Sequence, residues 1–240
     1  MSIIDDLLVL VEDNEKISLE EIYEKLKNTR RQTIASSLGR LTSKGWLNKN
    51  KQGKSYLFSI SKNGHETINK ILDNIQYISD DKRPNNWDIV IFNIPEKNRK
   101  YRDEFRRQLV NYGYGRLHDS LWFSKVNLKD QIKTIVETMK IEKNVMYLST
   151  SELTPNENKD LIEKLSWNWK DLNKEYTKFI SQANKYLENK NKPRFKAKQL
   201  VYNLAKIVRS DPKLSPSSYP ENHKYKEAVK LYKKLRPHCY

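Results

Sequence analysis

The chain has 240 residues, with 46 Lys and Arg against 30 Asp and Glu, and its formal net charge is +16 at pH 7. Its 14 Tyr, 6 Phe and 5 Trp exclude a disordered tail, and its longest apolar runs are too short to cross a bilayer. At about 100 to 200 residues per domain, this length allows more than one folded unit.

The first residues and the cysteine content predict a cytoplasmic protein. Met-Ser-Ile-Ile-Asp-Asp places acids where a signal peptide carries positive charge. Cys239 is the only cysteine, which excludes an intramolecular disulfide and a cysteine zinc site. A reducing compartment fits this composition.

The positive charge is concentrated in two stretches. No acid lies between Glu24 and Glu66, where ten Lys and Arg occur, and residues 185–240 hold 15 basic and 4 acidic side chains. Two basic surfaces indicate polyanion contacts, because each neutralised phosphate releases counterions. A merely soluble, lysine-rich surface is the alternative.

The first 45 residues predict three helices. Apolar residues at helical spacing from Ile3 to Val11 form the first, and the acids after it fall in a turn. Ser18 and Glu21 have the spacing of a capping box and begin the second. The third runs from about Arg30 to Lys44, with Asn28 or Thr29 as its cap and Gly45 as a left-handed end.

The third helix has two different sides. Ile34, Leu38 and Leu41 fall on one side and should face the core. Gly39 and side chains that can hydrogen-bond to base edges share the other, namely Gln32, Thr33, Ser36, Arg40 and Ser43. Arg30 and Arg31 occupy the first turn, where recognition helices usually meet a groove, and Lys44 ends the helix.

A hairpin follows the third helix. Trp46-Leu47 opens a strand, Asn50-Lys51-Gln52-Gly53 predicts a turn, and Tyr56, Phe58 and Ile60 alternate along the return strand. This order predicts a winged helix-turn-helix domain at residues 1–80 that binds double-stranded DNA. Its wing would contact phosphates through Lys49, Lys51 and Lys54. A protein-binding or RNA-binding module of the same fold is the alternative.

The remaining residues predict two more domains, and the fold class is α+β. A connecting helix ends at residues 79–84. Residues 84–150 then follow the order β-α-β-β-α-β of a ferredoxin-like domain, with strands at 87–94, 117, 120–123 and 145–148 and helices at 99–110 and 128–139. Residues 155–240 predict a mainly helical domain, in which Trp167 and Trp169 are expected to pack in the core.

The central residues resemble the PaaX family of transcriptional repressors. The resemblance rests on Trp87-Asp88-Ile89-Val90-Ile91-Phe92-Asn93-Ile94-Pro95-Glu96, on Arg99, Arg102 and Leu109, on Gly113-Tyr114-Gly115, and on Ser120-Leu121-Trp122-Phe123. The winged helix before these motifs and Asp211-Pro212 with Pro220 after them lie in the matching order.

The resemblance implies a repressor that is released from DNA by a small acyl-CoA effector. Phosphates of the effector would meet Lys192, Arg194, Lys196 and Lys198, or these residues extend the DNA contact. Where the family tends to have Trp-Pro-Gly, this chain has His223-Lys224-Tyr225, a departure that bears on the ligand.

The central domain is also similar to the small CRISPR-associated ferredoxin-like subunit, which dimerises and in some members cleaves nucleic acid with a metal. An aspartate ends the first strand of such proteins, and this chain has Asn93 there. An amide is a poorer Mg²⁺ ligand than a carboxylate. Asp88, at the start of the strand, is interpreted as a solvent-facing or pairing residue.

Common catalytic motifs are absent from the sequence, and His65, His118, His223 and His238 have no spacing typical of a metal site. We therefore expect no enzyme activity, no metal and no cofactor. The sequence predicts a homodimeric repressor that binds a specific DNA site and blocks the polymerase. The alternative is a metal-dependent nuclease or a non-specific nucleic-acid-binding protein that acts through the ferredoxin-like domain.

Overall fold

The computed structural model describes residues 2–53, 55–78, 86–152, 166–212, 214 and 219–240. Two compact units share the chain. The N-terminal unit comprises Met1–Gln76, Thr177–Lys206 and Lys226–Tyr240, and the central unit comprises Tyr77–Tyr176 and Ile207–Tyr225. The residues after 176 thus belong partly to each unit, and the three domain ranges given above stay predictions.

The first part of the N-terminal unit consists of three helices and an antiparallel sheet. Its elements are α1 (Ile3–Glu12), β1 (Ile17–Ser18), α2 (Leu19–Lys25), α3 (Arg31–Ser43), β2 (Leu47–Gln52) and β3 (Ser55–Ile60). The strand order is β1-β3-β2. A fourth helix, α4 (Lys62–Leu72), is extended by a 3-10 helix, Asp73–Ile78. The predicted order of three helices and a hairpin is confirmed.

Two predicted helix ends are confirmed. Glu21 N–H donates to Ser18 Oγ at 3.2 Å, and Ser18 N–H donates to the Glu21 carboxylate at 2.8 Å, which completes the capping box of α2. Gly45 ends α3 with a φ of +67°, a conformation that glycine adopts without a Cβ penalty.

The predicted cap of α3 by Asn28 or Thr29 is wrong. Arg30 is the N-cap residue, and its side chain makes no capping hydrogen bond. Thr29 N–H instead donates to the Leu26 carbonyl at 2.8 Å, so residues 26–29 close a turn before the helix begins.

The hairpin connection is shorter than the predicted turn of residues 50–53. β2 and β3 remain paired as far as Gln52 and Ser55, so residues 50–52 belong to the strand. Gly53 has a φ of +61°, as tight two-residue connections require.

The predicted order β-α-β-β-α-β of the central unit is confirmed. Its elements are β4 (Trp87–Phe92), α5 (Arg99–Asn111), β5 (Gly115–His118), β6 (Leu121–Ser124), α6 (Lys129–Met139) and β7 (Val145–Thr150). All pairs are antiparallel, in the order β5-β6-β4-β7. The strands and the two helices share one buried core, which includes Val90, Phe92, Phe105, Leu109 and Ile132.

The mainly helical character predicted for the C-terminal residues is confirmed by α7 (Trp169–Glu188), α8 (Arg194–Ser210) and α9 (Tyr225–Leu235). The helical spacing of Leu161, Ile162 and Leu165 also predicts helix before α7, but these residues lie outside the described part of the chain. Trp167 precedes α7, is 8% exposed and donates its indole N–H to the Gly113 carbonyl at 3.0 Å. Its predicted packing in the core is confirmed.

A buried polar cluster lies in the central unit at the place where the sequence departs from the family. Asp211 is 1% exposed and accepts hydrogen bonds from the hydroxyls of Tyr176, at 2.8 Å, and Tyr219. The ring of His223 stacks on Tyr219 at 4.4 Å, and its Nε2 lies 3.7 Å from the Asp211 carboxylate. Burial lowers the pKa of His223, although the charge of Asp211 opposes this effect.

We expect the free energy of unfolding to decrease as the pH falls below about 6.5, the ordinary histidine value, because the unfolded chain then binds a proton that the folded chain disfavours. His223→Gln should reduce this dependence, and His118→Gln, at an exposed position of the same unit, should not. Urea unfolding at several pH values measures it. An unchanged pH profile for H223Q would contradict the expectation.

Gly113 and Gly39 make a matched pair of glycine sites. Gly113 has a φ of +79°, and a Cβ there would lie 2.6 Å from the Asp211 carbonyl oxygen. Gly113→Ala should therefore destabilise the protein by more than about 1 kcal/mol. Gly39→Ala meets no atom within 4 Å and should stabilise α3 by about 0.5 to 1 kcal/mol. Chemical unfolding of both variants checks these opposite signs, and equal effects would contradict them.

Candidate nucleic-acid interface

The two sides of α3 differ as predicted. Ile34, Leu38 and Leu41 are at most 2% exposed and pack in the core. The side chains predicted to read bases are all exposed, namely Gln32, Thr33, Ser36, Arg40 and Ser43. Because α3 is anchored through its apolar side, its polar side is presented to solvent as a fixed surface.

Gly39 opens the middle of this polar surface. It is exposed, and a Cβ at this position would touch nothing within 4 Å. The helix does not need glycine here for its own packing. The missing side chain leaves room for another molecule to approach the backbone of α3 closely.

Aromatic rings support three basic side chains around α3 and the hairpin. The Arg31 guanidinium lies 5.1 Å from the Tyr23 ring centre, and Lys44 Nζ lies 4.8 Å from that of Trp46. Lys49 Nζ lies 3.8 Å above the Tyr56 ring, across the strand pair. Such contacts orient a cation without neutralising its charge.

Lys49 and Lys51 lie two residues apart on β2, so both side chains leave the same face of the hairpin. Both are exposed. The third predicted wing residue, Lys54, lies outside the described residues.

The basic residues of this surface keep their charge free for a partner. Within the described ranges none of the following forms an ion pair: Arg30, Arg31, Arg40, Lys44, Lys49 and Lys51. We call α3 and β2 with these residues the reading surface. Its free cations and its hydrogen-bonding groups suit phosphates and base edges, respectively.

The four residues predicted to bind an effector differ from the cations of the reading surface, because two of them form ion pairs within the protein. Arg194 Nε lies 2.8 Å from the Asp13 carboxylate, and Lys198 Nζ lies 3.0 Å from Glu12 and 3.2 Å from Asp13. Burial lowers the pKa of Lys198, but its hydrogen bonds and the charges of both acids outweigh burial and raise it. These two cations are thus engaged inside the protein.

The other two members of the proposed set lack an acidic partner among the described residues. Lys196 donates to the Gln199 side chain at 2.8 Å, and Lys192 is exposed. All four residues lie at the start of α8 or just before it. Only Lys192 and Lys196 keep a charge that is not already paired.

The charged contact between α1 and α8 was not anticipated from the sequence. Lys206 Nζ lies 2.7 Å from the Asp5 carboxylate, and the Gln199 amide donates to Asp6 at 2.6 Å. With the Arg194 and Lys198 pairs, these bonds form a seam along α1. The acids of α1 and the basic residues of α8 were both visible in the sequence, but no local signal indicated that they pair.

The interpretation of Asp88 as a solvent-facing residue is wrong, and its alternative as a pairing residue holds. Asp88 is 2% exposed and accepts a hydrogen bond from Leu128 N–H at 3.1 Å, at the start of α6. Its hydrogen bond with Tyr147 adds to burial in raising the pKa of that hydroxyl. Asn93 is exposed, and its backbone pairs with Asn144. In the described part of the chain, no group of three or more His, Cys, Asp or Glu side chains could hold a metal ion.

Lys198→Ala should destabilise the protein by about 1 to 3 kcal/mol, because it leaves Glu12 without an ion-pair partner and removes one of the two cations that pair with the largely buried Asp13. Lys192→Ala removes an exposed cation six residues earlier and should change stability by less than about 0.5 kcal/mol. Urea unfolding of both variants measures the difference. Equal losses would show that the seam does not stabilise the fold.

Comparisons with known proteins match two parts of this chain. Residues 80–162 match the family described as the PaaX protein central Cas2-like domain, and residues 6–76 match the penicillinase repressor family. Among solved structures, the uncharacterized protein Rv0674 from Mycobacterium tuberculosis is similar in fold, with a TM-score of 0.55 and 12% sequence identity over 88% of this chain and 82% of that chain. No curated protein gives a significant match.

Among the described residues, no helix has the length and apolar character needed to span a membrane. The two family matches indicate a DNA-binding transcriptional repressor. The resemblance to the PaaX family is confirmed: residues 80–162 are similar to its central Cas2-like domain, and residues 6–76, which precede them, are similar to the penicillinase repressor family.

Proposed function

We propose that this protein represses transcription as a homodimer that occupies a specific DNA site and blocks the polymerase. The observation that carries the proposal is the reading surface, where exposed base-reading groups lie beside six cations without ion-pair partners among the described residues. A surface of this kind suits the major groove, because bases are distinguished there by donors and acceptors.

Because one side of α3 is buried, the residues on its exposed side can contact bases while the neighbouring cations contact phosphates. Gln32, Ser36 and Arg40 lie about one helical turn apart along the exposed side and would contact bases. Arg30 and Arg31 at the start of the helix, together with Lys49 and Lys51 on the hairpin, would contact phosphates and fix the orientation. Lys44 and Lys54 would extend the phosphate contacts.

A homodimer follows from the size of one reading surface. One helix reads only a short half-site, and two copies related by a twofold axis read two half-sites about one helical turn apart. Light scattering and the stoichiometry on a two-half-site duplex test the dimer.

We keep the three domain ranges 1–80, 84–150 and 155–240 as part of this proposal.

Release by a small effector completes the proposal. A ligand releases DNA only if it binds the DNA-free arrangement more tightly than the DNA-bound one. The resemblance suggests an acyl-CoA, whose phosphates would meet the start of α8. Because Arg194 and Lys198 are already paired with acids, Lys192 and Lys196 are the better candidates within the predicted set.

Arg40→Ala should weaken binding to the cognate site by about 1 to 3 kcal/mol and relax its base preference, because it removes a base contact. Lys51→Ala should weaken all sequences alike and reduce the salt dependence by about one phosphate. Lys70→Ala, an exposed charge on α4 away from the reading surface, is the control and should leave binding unchanged.

Fluorescence anisotropy with a labelled duplex from the region upstream of the gene, against a scrambled duplex, measures these effects at about 0.15 M salt. If recognition is specific, the affinity for the upstream duplex should exceed that for the scrambled duplex roughly a thousandfold. Equal binding of both duplexes, with equal losses in R40A and K70A, would contradict the repressor and favour non-specific binding of nucleic acid.

A further inference from the structure

The N-terminal unit contains an open cleft of about 630 Å³ bounded by α1, the end of α7 and the first half of α8. This volume is that of a typical small-molecule site. Its lining is unusual because it is rich in carboxamides, namely Gln182, Asn189, Asn191, Gln199 and Asn203. We call it the amide cleft.

The carboxamides give the cleft a defined hydrogen-bonding chemistry. Each carboxamide side chain offers donors and an acceptor side by side, which is the pattern that Asn and Gln use to pair with the edge of a nucleobase. Gln182 and Asn203 make no side-chain hydrogen bond to any described residue, so both remain available. Tyr186 and Leu200 add apolar surface against which a flat ring can pack.

The charges of the cleft favour an anion. Lys185 on α7 and Lys196 on α8 both line it and are exposed, and Asp6 is its one acidic lining residue within the described ranges. Partial burial raises the pKa of Asp6, and Asp6 already accepts a hydrogen bond from Gln199. The cleft thus has two ammonium groups against one carboxylate, and this excess of positive charge suits a phosphate.

From this lining we propose that the amide cleft binds a nucleotide. The carboxamides pair with the base, and Lys185 and Lys196 bind the phosphates. The inference rests on the proposed function in one respect, since it assigns the cleft to the ligand that releases DNA. The cleft lining differs from the set of residues predicted to bind an effector. Arg194 and Lys198 of that set belong to the seam and do not line the cleft.

Two successive side-chain hydrogen bonds connect the cleft to α1, in the part of the unit proposed to bind DNA. Lys196 donates to Gln199, and Gln199 donates to Asp6 on α1. A phosphate on Lys196 competes with the Gln199 carbonyl and so alters the bond that Gln199 makes with α1. Because α1 and α3 share one core, this change reaches the helix that carries the reading surface.

Isothermal titration and thermal shift of the full chain test the proposal, with ADP, GDP, CDP and UDP as probes and with adenosine and pyrophosphate as the two separated parts. At least one nucleotide should raise the melting temperature and bind roughly tenfold or more tightly than either part, because base and phosphate sites act together. Lys196→Gln and Asn203→Leu should each weaken this binding about tenfold, the effect of losing one good hydrogen bond to a charged or planar group.

Lys230→Gln is the matched control, since Lys230 on α9 is an exposed cation of the same unit and does not line the cleft. No binding of any of the four nucleotides would overturn the proposal, as would pyrophosphate binding as tightly as the nucleotides or K230Q losing as much affinity as K196Q. DNA binding is titrated separately, without nucleotide. Failure of the DNA titration contradicts the repressor proposal, and failure of the nucleotide titration contradicts the nucleotide site, so the two failures are distinguishable.

Discussion

The seam between α1 and α8 is the contact on which the N-terminal unit depends. Four side chains of α8 reach the acids of α1 and its C-cap, at Asp5, Asp6, Glu12 and Asp13. Phe195 and Tyr202, also on α8, are at most 8% exposed and belong to the same core as α1 and α3. Burial of each such side chain contributes roughly 1.5 to 3 kcal/mol. The winged helix is therefore completed by a segment that lies far along the chain.

The two basic stretches of the sequence differ in how much of their positive charge is paired with acids, and the seam accounts for this difference. Three cations of α8, Arg194, Lys198 and Lys206, pair with acids of α1 or its C-cap, whereas the cations of α3 and β2 form no ion pair among the described residues. A paired cation contributes little to attraction of a polyanion, and a free one contributes fully. The reading surface therefore keeps its full charge, whereas part of the charge of the C-terminal stretch is used inside the protein.

Buried polar groups of the central unit are used for structure. Asp88 holds the start of α6, and Asp211 binds two tyrosine hydroxyls beside His223. Such groups are stable in an apolar core only when their hydrogen bonds are satisfied. The departure from the family at His223-Lys224-Tyr225 contributes a ring to this cluster, stacked on Tyr219. His223 and Tyr225 therefore have a structural role, since both rings stack on Tyr219.

The sequence by itself determined features that depend on neighbouring residues: the capping box of Ser18, the left-handed Gly45, the two sides of α3 and the order of strands and helices in the central unit. It also predicted which residues lie on the exposed side of α3. Only the tertiary structure decided that Asp88 is buried and that Arg194 and Lys198 are engaged, because those environments are created by distant segments. Gln199 and Asp6 are 193 positions apart, and no local periodicity records such a contact.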